Sequence, residues 1–165
     1  MVSVEGAGPE YTWFFRAEYP MVLRTVFLVL GDRARAEDVT QEAFVQLLSH
    51  WKKVSRYERP EAWVRRVAIR LAVRTLKRDR MRAMLEREVP RDRADRPPDV
   101  DLANALRQLP VKQRTCALLF YYEDRPIAEI VDILGISEGA VKVHLHRARQ
   151  RLSELLREEV DEDAR

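Results

Sequence analysis

The sequence predicts an all-α protein built as two small helical domains joined by a linker. Three observations carry this. Only 5 glycines and 8 prolines punctuate the 165 residues, and none falls between Pro60 and Pro90. Strands need frequent turn residues and period-two alternation, and neither occurs. Apolar residues instead recur at helical spacing in one segment after another. Finally, composition changes over Arg87–Asp101, where three prolines and a run of charges interrupt that spacing. Such a stretch reads as a linker.

The elements follow in order. From Tyr11 to Leu30 the residues Phe15, Tyr19, Val22, Leu23, Val26 and Leu30 share a helical stripe, with Pro20 expected to begin or kink the helix and Gly31 to end it. A second helix, about Arg33 to Lys52, places Ala36, Val39, Ala43, Leu47 and Trp51 on one face. A third starts at Pro60, a favoured first-turn residue, and continues past Lys77 with Val64, Val67, Ala68, Leu71, Ala72 and Thr75 expected on its buried side. Beyond the linker, Leu102, Ala105, Leu106 and Leu109 mark a short helix stopped by Pro110, and Val111, Thr115, Leu118, Leu119 and Tyr122 mark another. Ile127, Ile130, Val131 and Leu134 then precede a turn at Gly135 and a long helix with Val141, Leu145, Ala148, Leu152 and Leu155 on one face. The expected division is an N-terminal tail over 1–10, a first domain over 11–86, a linker over 87–100, a second domain over 101–157 and an acidic, frayed tail over 158–165.

Composition narrows the function. Charged residues make up 35% of the chain and hydrophobic ones 46%, with a net charge of +3. The longest near-apolar run, Val22–Leu30, is interrupted by Arg24 and Thr25. It falls far short of the ~18–20 residues that cross a bilayer, so no membrane insertion is expected. The first ten residues carry acids where a signal peptide would carry a basic region, and a cytoplasmic protein is expected. The single cysteine, Cys116, allows no internal disulfide and no CxxC site. His144 and His146 point apart on a helix, so no metal is expected. No nucleophile–base constellation, phosphate-cradling glycine loop or cofactor motif is visible, and the chain is not expected to be an enzyme.

What remains is surface charge in three places. Pro126–Leu152 has the plan of a helix-turn-helix, in which Gly135 can end the first helix and Ser137 can cap the second, with Glu138 on its positive end. Gly139, Lys142, Val143, His146, Arg147 and Gln150 then face outward, and Ser137–Arg157 carries five cations against two acids. A short-chained basic face of that kind suits a major groove. An ordinary helix hairpin with a solvated basic surface is the competing reading. The third helix is more cationic still, with eight cations and two acids over Glu61–Arg82. Arg66, Arg70, Arg74 and Lys77 line one face with Trp63 among them, and Arg56 and Tyr57 extend it into the preceding loop. Cations there would neutralise phosphates and an aromatic could stack on an unpaired base. Alternatively, Trp63 packs on a neighbouring helix and the arginines are solvated. The second helix is different: Asp38, Gln41, Glu42 and Val45 share an acidic face, suited to a basic protein partner or only to solvent.

In combination these motifs resemble the bacterial RNA polymerase sigma factors of the extracytoplasmic-function group, within the sigma-70 superfamily. Ala36-Glu37-Asp38-Val39-Thr40-Gln41-Glu42-Ala43-Phe44 and Glu61-Ala62-Trp63-Val64-Arg65-Arg66-Val67-Ala68 resemble that family's region 2. Ala105-Leu106-Arg107-Gln108-Leu109-Pro110, Gln113-Arg114, Glu129-Ile130, Leu134-Gly135-Ile136-Ser137, Val141-Lys142 and Arg147-Ala148-Arg149 with Leu152 resemble region 4. The resemblance spans roughly Tyr11–Leu156. It implies that Asp38, Gln41, Glu42 and Val45 bind the clamp helices of the largest subunit of core RNA polymerase. It implies further that Arg56, Tyr57, Trp63, Arg66, Arg70, Arg74 and Lys77 act on the −10 element. For the −35 element it implies Ser137, Glu138, Gly139, Ala140, Lys142, Val143, His146, Arg147 and Arg149. The polymerase flap would be a second contact, promoter DNA a partner, and an anti-sigma factor a candidate partner. Three positions depart from the pattern: Arg70 stands where Asn is frequent, Val131 where Ala is usual, and Ala140 where Thr is common.

Two other functions remain in view at this stage. One is a stand-alone dimeric helix-turn-helix regulator, which would bind paired half-sites without polymerase. The other is a helical adaptor whose basic faces are incidental. A second DNA-facing helix and a flexible linker are superfluous in the first. The 15 residues Arg87–Asp101 could reach ~50 Å at ~3.3–3.6 Å per residue, enough for a tether between readers of two separated DNA elements.

Overall fold

A computed structural model of the chain describes residues 8–86 and 100–163, the side chains of residues 100–101 and 158–163 excepted. Most of the N-terminal tail and all of the expected linker but Val100, which opens a helix, lie outside the described residues. The chain divides into two compact units, one on each side of residues 93 and 94. Every element of regular structure among the described residues is helical.

The first unit is a bundle of α1 (Pro9–Leu30), α2 (Arg33–Val54) and α3 (Pro60–Glu86), each packed on the other two. Local chemistry sets the ends. Pro9 opens α1 and Gly31 closes it at φ 71°, with its N–H donating to the Phe27 carbonyl. That left-handed conformation is open to glycine at little cost. Asp32 caps α2 by accepting from the Arg35 N–H at 2.9 Å. Pro20, expected to begin or kink the first helix, lies within a helix that begins eleven residues earlier and runs on to Leu30.

Alanines let these helices approach closely: Ala36, Ala43, Ala68 and Ala72 are fully buried beside Val22, Val26, Phe44, Leu47 and Val64. Ile69 is also buried, although it stands off the apolar stripe the sequence marks on α3. That helix packs on two partners, so its buried arc is wider than one stripe. Val67, Leu71 and Thr75 are half-buried. An aromatic cluster joins α1 to α2, with Phe15 edge-on to Phe44 at 5.0 Å and Tyr11 edge-on to Trp51 at 5.3 Å. The Tyr11 hydroxyl donates to the Phe44 carbonyl at 2.7 Å. Arg65 reaches Glu18 on α1 at 3.0 Å and Arg35 pairs with Asp79, so both neighbouring helices are tied to α3 by charge as well as packing.

The second unit holds α4 (Val100–Arg107), α5 (Val111–Ala117), a π-helical turn (Leu118–Tyr122), α6 (Ile127–Leu134) and α7 (Glu138–Asp163). Its core is Leu106, Leu109, Cys116, Leu119, Ile130, Val141, Leu145, Ala148 and Leu155. In the π turn the Glu123 N–H donates to the Leu118 carbonyl, five residues back, at 3.0 Å. The sequence placed Tyr122 on the buried stripe of this helix; the wider turn rotates it out, and Tyr121 and Tyr122 are both exposed. Leu102 and Val111, which mark helices by spacing, are exposed too, and Leu152 is half-buried. The tail expected to fray is helical as far as Asp163. Among the described residues, no helix is long and apolar enough to cross a membrane.

Candidate polymerase and nucleic-acid interfaces

The first surface is one face of α2. Asp38, Glu42 and Val45 are exposed together, one helical turn apart in succession. Gln41, the fourth residue of that group, is half-buried and hydrogen-bonds the Tyr19 hydroxyl of α1. Burial raises the Tyr19 phenol, the Gln41 bond opposes this, and the Glu37 and Asp38 carboxylates add to the rise. Gln41 therefore braces α2 against α1 as well as bordering the acidic face.

The second surface begins at the end of α2 and runs along α3. Hydrogen bonds from the Tyr57 N–H to the Val54 carbonyl at 3.0 Å and from Arg56 to Lys53 at 3.3 Å fold the loop into a tight turn. The turn leaves Lys52, Lys53, Arg56 and Tyr57 lining an open depression. Lys52 and Lys53 are not among the residues singled out by sequence; two adjacent cations in the last turn before the loop were the available signal. Trp63 is half-buried, its ring 5.7 Å from that of His50 on α2. Its packing on a neighbouring helix and its place beside the cationic row both hold. Arg70, Arg74 and Lys77 are exposed and Arg66 is half-buried.

The third surface is the helix-turn-helix. Gly135 ends α6 at φ 65°, its N–H donating to the Val131 carbonyl at 2.8 Å. The Ser137 hydroxyl accepts from the Ala140 N–H at 3.1 Å, capping α7. Glu138 and Lys142 pair at 2.7 Å, and the ammonium holds the Glu138 carboxyl below its ordinary range. With Val141, Leu145 and Ala148 buried, the residues Gly139, Lys142, Val143, His146, Arg147 and Arg149 are displayed. Ala140 is half-buried and shows less of itself than these. The turn before α6 is held by Arg125, a buried guanidinium 3.2 Å from Glu129 and 3.9 Å from Glu123. Nothing in the spacing of the sequence marks Arg125 as buried. Among the described residues, no group of His, Cys, Asp and Glu could hold a metal ion.

The first two surfaces lie within residues 14–82, which match the family model for Sigma-70 region 2, and the third within residues 99–152, which match that for Sigma-70 region 4. The sigma-E factor of Streptomyces coelicolor is 30% identical over 157 residues, covering 89% of this chain and 86% of that protein. The ECF sigma factor SigL of Mycobacterium tuberculosis is 30% identical over 172 residues, covering 96% and 97%. The chain belongs to the ECF RNA polymerase sigma factors. Solved sigma factors share the fold of this one. RpoE of Bartonella quintana, in complex with the anti-sigma factor NepR, matches with a TM-score of 0.68 at 18% identity, covering 91% of this sigma factor and 98% of that chain. CnrH, in complex with the cytosolic domain of CnrY, matches with 0.60 at 22% identity, covering 93% and 91%. As a sigma factor, the protein is a transcription initiation factor, and a stand-alone regulator is not favoured.

Proposed function

We propose that this sigma factor binds core RNA polymerase through Asp38, Gln41, Glu42 and Val45 on α2, selects promoters with two DNA-facing surfaces and assists their opening. Arg56, Tyr57, Trp63, Arg66, Arg70, Arg74 and Lys77 engage the −10 element, and Lys52 and Lys53 join them at the loop. Ser137 to Arg149 on the outer face of α7 reads the −35 element. The first domain is then 11–86, the second 101–157, and the residues between them a tether. Tethering raises the effective concentration of the second contact once the first is made. The observation that supports this reading best is the segregation of charge within the first unit. Acids are displayed on one face of α2, and cations at its C-terminal end, on the loop and on α3, so one small bundle offers a protein partner and a phosphate backbone different faces.

The factor contributes binding energy and positioning, with no catalytic step of its own, and acts in the cytoplasm beside polymerase. An anti-sigma factor is a further proposed partner, by likeness of fold to RpoE in its complex with NepR. Transcription with purified core polymerase on a library of genomic fragments tests the proposal. Start sites that appear only when the factor is added, with shared sequences near −10 and −35, are the expected result. Palindrome-dependent DNA binding without polymerase, and no start sites, would favour the dimeric regulator instead.

A further inference from the structure

Gly139 is unexplained by the fold that contains it. Glycine is the least favourable residue for a helix after proline, yet Gly139 lies inside the first turn of α7. Its backbone is not in the left-handed region, where among the described glycines only Gly31 and Gly135 lie. A Cβ built there meets nothing within 4 Å. Neither strain nor crowding within the protein calls for a hydrogen at this position, so the close approach it permits comes from outside.

Four residues on, Val143 is 46% exposed. It is an apolar side chain on a face otherwise made of Lys142, His146 and Arg147. Positions i and i+4 stand one above the other on a helix, and side chains lean toward its N-terminus. The Val143 methyls therefore border the gap that Gly139 leaves. The Glu138–Lys142 ion pair lies on the neighbouring strip of the helix, each residue one position before a member of the notch. An apolar-walled notch on a cationic helix face is complementary to one feature of the major groove. Of the groups that base pairs display there, only the C5-methyl of thymine is apolar.

We propose that Gly139 and Val143 form a methyl-reading notch that selects a thymine in the −35 element. The inference rests on the proposed reading of α7 as the −35 reader and adds which base it favours and why. Gly139 lets the base edge approach the helix backbone, and Val143 supplies the van der Waals wall against the methyl group. Lys142 and Arg147, on either side, hold the duplex through phosphates or purine acceptors and carry no thymine preference.

The test uses holoenzyme assembled from core polymerase and the full chain, on a promoter identified by transcription. Each thymine of the −35 element is replaced in turn by deoxyuridine, which removes the methyl and nothing else. One replacement is expected to weaken promoter binding about fourfold, the worth of one buried methyl group. In Val143→Ala holoenzyme, thymine and uracil at that position should bind alike. Gly139→Ala should weaken binding to the thymine promoter while leaving the melting temperature of the free protein unchanged or higher. Loss of binding in step with a lower melting temperature would mark Gly139 as structural. If no deoxyuridine replacement matters while scrambling the −35 element abolishes binding, the notch is overturned and the −35 reading stands. If scrambling has no effect, both fall together. Retained thymine preference in the Val143→Ala protein also overturns the proposal.

Discussion

Trp63 is half-buried: its ring packs 5.7 Å from that of His50, and the part left exposed at the head of the cationic row is the surface proposed to meet a base. Base stacking on an exposed aromatic is worth ~1–3 kcal/mol per base. Trp63→Ala should therefore slow promoter opening, read by permanganate footprinting, more than it weakens polymerase binding. The pair Asp38→Ala with Glu42→Ala should do the reverse, and equal losses in both variants would contradict the division of roles. A second residue with a measurable consequence is His144, half-buried on α7 with its Nδ1 buried and unbonded. Burial lowers its proton affinity first, and the cations Lys112 and Arg147 lower it further. The unfolded chain then takes up a proton at this histidine near pH 6.5, before the folded one does. Its contribution is complete above that pH and is lost as pH falls below it. Denaturant midpoints measured from pH 7.5 down to about 5.5 should fall more steeply for the natural protein than for His144→Gln.

At the scale of elements, helix ends decide where the residues proposed to face DNA sit. The Ser137 hydroxyl fixes the first turn of α7, and removing such a cap costs ~1 kcal/mol. Ser137→Ala should lower thermal stability by that amount, whereas Ser137→Asp should keep the cap and place a negative charge against DNA. Weak −35-dependent binding in the stable Asp variant would separate contact from capping. These ends were also the most legible part of the sequence. Pro60, Ser137, Gly31 and Gly135 act through their own backbone and nearest neighbours, so local chemistry suffices to place them. The exposed face of α7 was legible for the same reason, as plain helical geometry. What depends on a second element was not legible: the burial of Ile69 between two helices, the bond from Gln41 to Tyr19, the tilted ring contact of His50 with Trp63, and the depression lined by Lys52 and Lys53. The π turn was hidden too, since nothing in Leu118–Tyr122 distinguishes it from an α-helical run.

The molecule as a whole is two cores on one chain. Phe44 anchors the first and Ile130 the second, each almost fully buried. Truncating a large buried side chain to alanine costs ~2–5 kcal/mol, a large share of what a domain of this size possesses. Phe44→Ala is expected to lower amide-exchange protection across α1–α3, and Ile130→Ala across α4–α7. Loss spread evenly over both units in either variant would show a single cooperative core instead.

The π turn gives the second unit a setting that no single side-chain contact carries. Its five-residue loop takes in one residue more than an α-helical path would, and one residue is ~100° of azimuth. Shortening this turn by deleting Phe120 should leave circular dichroism nearly unchanged and yet abolish −35-dependent binding. The hairpin after it would be aimed elsewhere, like a key cut correctly and turned out of phase. In this protein the direction in which α7 faces is thus encoded as a count of residues, upstream of every residue proposed to read DNA.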